Sequence, residues 1–126
     1  SIENLGDICN PETKSYKRSV ARSLIEQSQM PEFIPACVQA IKLGDCMIYA
    51  LSGEVYAEFG LDIKKRSPAK HNMVASIANG GLYCYIPTKD AFGTTIYEAQ
   101  LSSAIAEADT GYKMADKAIE LAKKLM

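Results

Sequence analysis

Residues 38–54 read VQAIKLGDCMIYALSGE, and the fold turns on how this stretch is read. Ala36 to Lys42 is β-compatible, Leu43-Gly44-Asp45 is a tight turn, and Cys46 to Leu51 is a nearly continuous apolar run. Glycine supplies the backbone angle that a short hairpin turn needs, so the two runs predict a β-hairpin. The second strand is apolar at both odd and even positions. Side chains alternate between sheet faces, so this pattern predicts a central strand covered on both sides. Ser52-Gly53-Glu54 then breaks the strand.

The flanking segments supply the other layers. Downstream, Val55, Phe59 and Ile63 recur at helical spacing, which predicts a helix from about Val55 to Lys65 that ends at Ser67-Pro68. Met73 to Ala78 reads as another buried strand, Asn79-Gly80-Gly81 as a turn, and Leu82 to Ile86 as a short β segment. Lys89 to Phe92 suits one helical turn, and Tyr97 to Leu101 a strand or extended segment. The last helix is capped by Asp109 or Thr110 and carries Met114, Ala118, Leu121 and Leu125 as its apolar stripe. Upstream, Pro11-Glu12-Thr13 opens an amphipathic helix that runs to about Gln29 and stops at Met30-Pro31. Val20 and Leu24 mark one face of it, Lys14, Lys17, Arg18 and Arg22 the other. Residues 1–11 read as an irregular lead. The order α-β-β-α-β-(β)-α predicts the α/β class, a layered mixed sheet with flanking helices, in one domain over residues 1–126.

Composition excludes some functions. The chain has 126 residues, 48% of them apolar and 23% charged, with a net charge of −1. Its longest basic run is Lys64-Lys65-Arg66, so it lacks the electrostatic footprint of a nucleic-acid binder. No apolar stretch approaches the length that crosses a bilayer. Cys9, Cys37, Cys46 and Cys84 fit no zinc-ribbon spacing. Cys37, Cys46 and Cys84 lie in apolar runs and read as small buried hydrophobes, with a Cys37–Cys46 bridge across the hairpin as the alternative. Nothing in the residues assigns a compartment.

Two loops carry candidate chemistry. In Leu51-Ser52-Gly53-Glu54 a buried strand leads through glycine to an acid at the start of a helix. Ligands in α/β proteins bind at such strand ends, and the helix dipole favours an acid there. A helix-capping glutamate is the plainer alternative. The run Ala78-Asn79-Gly80-Gly81-Leu82-Tyr83-Cys84-Tyr85-Ile86-Pro87-Thr88 is a second strand-end loop, with small residues that let backbone approach a ligand. Its tyrosines would stack, hydrogen-bond or ligate a metal, or else pack on the core. His71 is the one histidine, and a single imidazole does not build a nitrogen-rich zinc site.

In these loops the chain resembles a known family. Ile41-Lys42-Leu43-Gly44-Asp45 followed by Leu51-Ser52-Gly53-Glu54 is similar to the "IGD…PGE" segment of neutral/alkaline ceramidases and their bacterial relatives. Gly60 to Pro68 resembles the helix that follows that motif. Ala78-Asn79-Gly80 and Tyr85-Ile86-Pro87-Thr88 resemble the "ANG…GYIPT" loop, and Tyr97-Glu98-Ala99 the "YEA" element. The resemblance runs from about Val38 to the C-terminus. It implies a zinc amidohydrolase that cleaves an N-acyl amide of the ceramide type. It also implies that this chain is the C-terminal segment of a larger α/β hydrolase. Glu54 matches the family's metal-ligating glutamate, and Tyr85, before Ile-Pro-Thr, its metal-ligating tyrosine. The family's two histidine ligands would come from an upstream part of the same protein, so the segment alone would be inactive. Two departures stand out. Ser52 replaces the proline of "PGE", and the loop to Tyr85 is one residue longer than the family pattern, which keeps Tyr83 as the alternative ligand. His71 matches neither ligand histidine.

Three readings follow from these residues. The first is the ceramidase-like segment with part of a zinc site and a lipid amide as substrate. The second is a non-catalytic interaction or oligomerisation domain, with a homodimer as its simplest form. The third, a small-molecule module built on Asn79-Gly80-Gly81, rests on a glycine pair without a Walker or dinucleotide pattern.

Overall fold

The structure, a computed structural model, describes residues 15–126. The lead, Cys9 and the helix opening at Pro11-Glu12-Thr13 lie outside the described residues. In chain order the elements are α1 (Ser15–Ser28), β1 (Val38–Leu43), β2 (Cys46–Leu51), β3 (Glu54–Val55), α2 (Ala57–Arg66), β4 (His71–Ala75), β5 (Tyr85–Ile86), a 3-10 turn (Tyr97–Ala99) and α3 (Thr110–Leu125). The fold is a small α/β arrangement with a mixed sheet and flanking helices, as the order of elements predicts.

The hairpin forms where the sequence places it. β1 and β2 pair antiparallel from Val38↔Leu51 to Leu43↔Cys46, joined by Gly44-Asp45 with Gly44 at φ 59°. The chain then crosses over through α2 and returns as β4, parallel to β2 from Cys46↔His71 to Ala50↔Ala75. β2 is therefore central, in the order β1-β2-β4. A helical crossover is what a parallel neighbour requires.

The two faces of this sheet differ. Met47, Tyr49 and Leu51 point to one face and are fully buried against Ile63 of α2 and Met114, Ala115, Ala118, Ile119 and Ala122 of α3. Burial of side chains the size of Met47 and Leu51 stabilises by roughly 1.5–3 kcal/mol each. The Tyr49 phenol lies 2.6 Å from Ser67 Oγ, so its polar end is satisfied beside the core. Alanines in α3 let that helix lie close to β1 and α2. The opposite face carries Cys46, Ile48 and Ala50 from β2, with Ile41 and Leu43 on β1 and Met73 on β4 alongside. Ile41, Leu43 and Met73 are 44%, 69% and 60% exposed. The expectation that β2 is covered on both sides is thus corrected. Within the described residues both sheet-packing helices lie on one face. α1 lies elsewhere, its Gln27 amide donating to the Ser102 carbonyl at 3.0 Å.

Other expectations are adjusted. β4 alternates exposed and half-buried positions, so it is not the fully buried strand that Met73 to Ala78 suggests. The apolar stripe of α3 is Gly111, Met114, Ala115, Ala118, Ile119 and Ala122, whereas Leu125 is exposed. Residues 97–99 form a 3-10 turn rather than a strand. Cys37, Cys46 and Cys84 are free thiols, so the Cys37–Cys46 bridge does not form. Cys84 is buried, but Cys37 is exposed because it precedes β1.

Candidate functional site

The site begins where β2 ends. Ser52 is fully buried, and Gly53 takes φ 76° to redirect the chain. A Cβ on Gly53 would lie 3.0 Å from the Cys84 carbonyl oxygen and 3.2 Å from Ile86 Cγ1, so glycine also permits close approach of the two strands beyond it. Those strands are β3 and β5, a parallel ribbon with the register Glu54↔Tyr85 and Val55↔Ile86. The Glu54 N–H donates to the Cys84 carbonyl at 2.9 Å, and the Tyr56 N–H to the Ile86 carbonyl at 3.1 Å. Glu54 therefore belongs to a strand and lies three residues before α2. The expectation of an acid in the first helical turn is corrected, and the helix dipole is not what holds it.

The pleat of this ribbon sorts the side chains. Ile86 turns inward and packs with Phe59, Leu82 and Cys84. Glu54 and Tyr85 share the other face, where both are half-buried. Hydrogen bonding to the Glu54 carboxylate is the main influence that raises the Tyr85 phenol above its ordinary pKa, followed by burial and by the charge of Glu54. Tyr97 packs edge-on to the Tyr85 ring, with centroids 6.0 Å apart at 76°. Glu98 adds negative charge near Tyr85 and Tyr56; the Tyr56 phenol is raised first by burial and then by Glu98 and Glu58. Burial likewise raises the Cys84 thiol.

A knot of hydrogen bonds backs the turn. Ser52 Oγ accepts from the Cys37 N–H at 3.0 Å and lies 2.8 Å from the Gly80 carbonyl oxygen, to which it donates. The Ile77 N–H donates to the Gly53 carbonyl at 2.8 Å, and the Ala78 N–H to the Leu51 carbonyl at 2.9 Å. Ile77, Asn79, Gly80 and Gly81 all take positive φ. For a β-branched residue such as Ile77, at 54°, this is a strained conformation of about 1–3 kcal/mol. Its side chain is 65% exposed, so packing does not repay the strain.

Of the residues singled out in the sequence, Glu54 and Tyr85 come together. Tyr83 does not join them; it is 83% exposed. His71 starts β4 level with Cys46, at the far end of the sheet from Glu54. Tyr97, Glu98 and Tyr56 join the site without having been named as site residues in the sequence. Tyr97-Glu98-Ala99 is part of the family resemblance, but a contact between Tyr97 and Tyr85 is tertiary and has no local signal. Among the described residues no group of three or more His, Cys, Asp or Glu side chains is placed to hold a metal. Glu54 and Tyr85 are hard oxygen donors side by side, a carboxylate and a phenol, and by themselves make only part of a donor set for a cation. A cleft of about 460 Å³ between α2 and α3, lined by Glu58, Phe59, Asp62, Arg66 and Tyr112, includes neither Glu54 nor Tyr85. Arg66 bridges Asp62 and Asp116 there, which makes the cleft a helix–helix seam.

No protein-family description, curated protein or solved structure matches the chain.

Proposed function

We propose that this chain contributes two ligands, Glu54 and Tyr85, to the zinc site of a ceramidase-like amidohydrolase acting on an N-acyl amide, and that the remaining ligands come from another part of the protein. The supporting observation is the β3–β5 register, which sets these two donors side by side on one face of the ribbon. When bound, zinc in such a site supplies a Lewis acid that polarises the amide carbonyl and an acidified water as nucleophile. The chain's own residues set up that chemistry. Glu54 offers a carboxylate beside the Tyr85 phenol, and its hydrogen-bonding influence raises that phenol's pKa. Tyr85 must lose its phenol proton to ligate. Its pKa is raised, so the phenol is protonated at neutral pH and cation affinity should climb as pH rises. Tyr97 flanks the Tyr85 ring edge-on.

Expression of the natural polypeptide that contains this chain tests the proposal. Zinc per chain and release of fatty acid from N-acyl amides are measured for wild type, Glu54→Gln and Tyr85→Phe. About one zinc per wild-type chain is expected. Each substitution should weaken binding by at least the roughly 10–100-fold that loss of an outer-shell partner costs. A metal-free, inactive wild type sinks the proposal.

One observation favours the non-catalytic alternative, the exposed apolar sheet face of Ile41, Leu43 and Met73. Sedimentation over a range of concentrations separates the two, since a strict monomer argues against self-association through that face.

A further inference from the structure

We propose that Ser52 is the positioning residue for the Glu54–Tyr85 pair. The inference deepens the site proposed above and rests on Glu54 and Tyr85 being its working residues. Apart from Tyr49 with its phenol, Ser52 is the one fully buried side chain among the described residues that carries a polar group. Its hydroxyl joins three chain segments at one atom. It accepts from the Cys37 N–H ahead of β1, belongs to the end of β2, and donates to the Gly80 carbonyl of the loop after β4. The Cys37 carbonyl, 3.1 Å away, is a second acceptor within reach. The Ser52 N–H donates to that same carbonyl, also at 3.1 Å.

This junction acts on Glu54 through the backbone. With Gly80 tied to Ser52, Ile77, Asn79, Gly80 and Gly81 keep their positive φ, and the loop so shaped presents the Ile77 N–H to the Gly53 carbonyl. The Gly53 carbonyl belongs to the peptide group that leads into Glu54, so its orientation sets how Glu54 enters β3. Strain at Ile77 persists only where the surroundings over-determine it, and the Ser52–Gly80 bond is the shorter of two side-chain contributions to that constraint, the other being the Asn79 amide that donates to the Ala50 carbonyl at 3.4 Å. Removal of the hydroxyl leaves the Cys37 N–H and the Gly80 carbonyl, in part-buried surroundings, short of a partner and frees the loop to relax. The same burial rules Ser52 out as a nucleophile, because its oxygen is enclosed and committed to backbone partners. The role is thus one of geometry.

The test uses protein labelled with ¹³C at tyrosine Cζ, a nucleus sensitive to phenol hydrogen bonding, at one fixed pH near neutrality. Tyr85→Phe and Tyr49→Phe assign the two signals. Glu54→Gln gives the reference for a lost pair. The Ser52→Ala variant is expected to move the Tyr85 signal at least half-way to that reference. The Tyr49 signal, whose phenol bonds Ser67 across the main core, should stay in place. Ser52→Thr, which keeps the hydroxyl, should restore the wild-type Tyr85 signal. A general loosening of the sheet would move Tyr49 as well, and that result overturns the inference, as does an unmoved Tyr85 in Ser52→Ala. If Glu54→Gln itself leaves Tyr85 unmoved, the pair is absent and the proposed site fails instead. Amide exchange of the wild-type chain supplies a second measurement that needs no variant to fold. The Cys37, Ile77, Ala78 and Glu54 amides should share one protection level within about threefold, as one opening unit. Glu54 exchange that is independent of the other three overturns the positioning role.

Discussion

Gly111 in the first turn of α3 is expected to reject even a methyl group. Its Cα faces the Phe59 ring of α2. A Cβ built there lies 2.8 Å from Phe59 Cε1, and nearer still to Cζ and Cε2. Phe59 has little freedom to yield. It is 3% exposed, held by Leu82, Cys84 and Ile86, and it meets the Tyr112 ring edge-on at 5.0 Å. Overpacking of this kind costs about 1–3 kcal/mol. Alanine recovers up to about 1 kcal/mol of helix propensity, and less in a first turn than in a helix interior. Gly111→Ala should therefore destabilise by about 1–2 kcal/mol, seen as a lower urea midpoint at unchanged slope and a fall in Tm of roughly 3–8 °C. Phe59→Leu should absorb part of the loss. A double-mutant cycle with Gly111→Ala should then give a coupling of at least about 0.5 kcal/mol. A Gly111→Ala protein as stable as wild type, or one whose loss adds fully to that of Phe59→Leu, would refute the close α2–α3 contact.

Three further outcomes follow from particular residues. Gly53→Ala places a Cβ in left-handed backbone and against the Cys84 carbonyl, so a loss of about 1–3 kcal/mol is expected by urea unfolding; a neutral result contradicts the turn described. Ile77→Gly relieves positive-φ strain at an exposed site. Glycine's greater unfolded-state entropy offsets roughly 0.5–1 kcal/mol of the gain, so the variant should be at least as stable as wild type, and a loss above about 1 kcal/mol tells against the strain. Glu120, between Lys124 and Lys117, has its carboxyl lowered to about 2. The folded value lies below the unfolded one, so the stabilising contribution is present above the ordinary carboxylate range and disappears as pH falls towards about 2. The Tm difference between wild type and Glu120→Gln should be small, constant above about pH 5 and closed near pH 2; a difference that grows on acidification contradicts the pairing.

The parts of the fold that the sequence announces are those specified locally. The hairpin is legible because Gly44 sits between two β-compatible runs, and α3 because it is long and opens after Asp109. The apolar stripe of α3 was harder to read. Its buried face uses Gly111, Ala115 and Ala122, small residues that carry little hydrophobic signal and are chosen for close approach. β3 and β5 have two residues each, too few for any periodicity, so the ribbon that aligns Glu54 with Tyr85 leaves no local trace. The resemblance singles out both residues, whereas the residues alone leave Glu54 open between a strand-end ligand and a helix cap. The half-buried second face of β2 was missed for a different reason. Apolar positions state that a strand can be buried on both sides, but which layer covers each side is decided elsewhere in the polypeptide. Ser52 looked like an ordinary strand breaker, since nothing local marks a hydroxyl that fastens three segments.

Anomalous diffraction at the zinc edge, from crystals of the natural polypeptide grown with zinc, locates the metal relative to Glu54 and Tyr85. The expected result is a single strong peak within about 2.0–2.2 Å of a Glu54 carboxylate oxygen, with the Tyr85 phenolic oxygen as a further ligand. A zinc peak elsewhere, with Glu54 and Tyr85 still joined only to each other, would contradict the assignment of these two residues to a metal site.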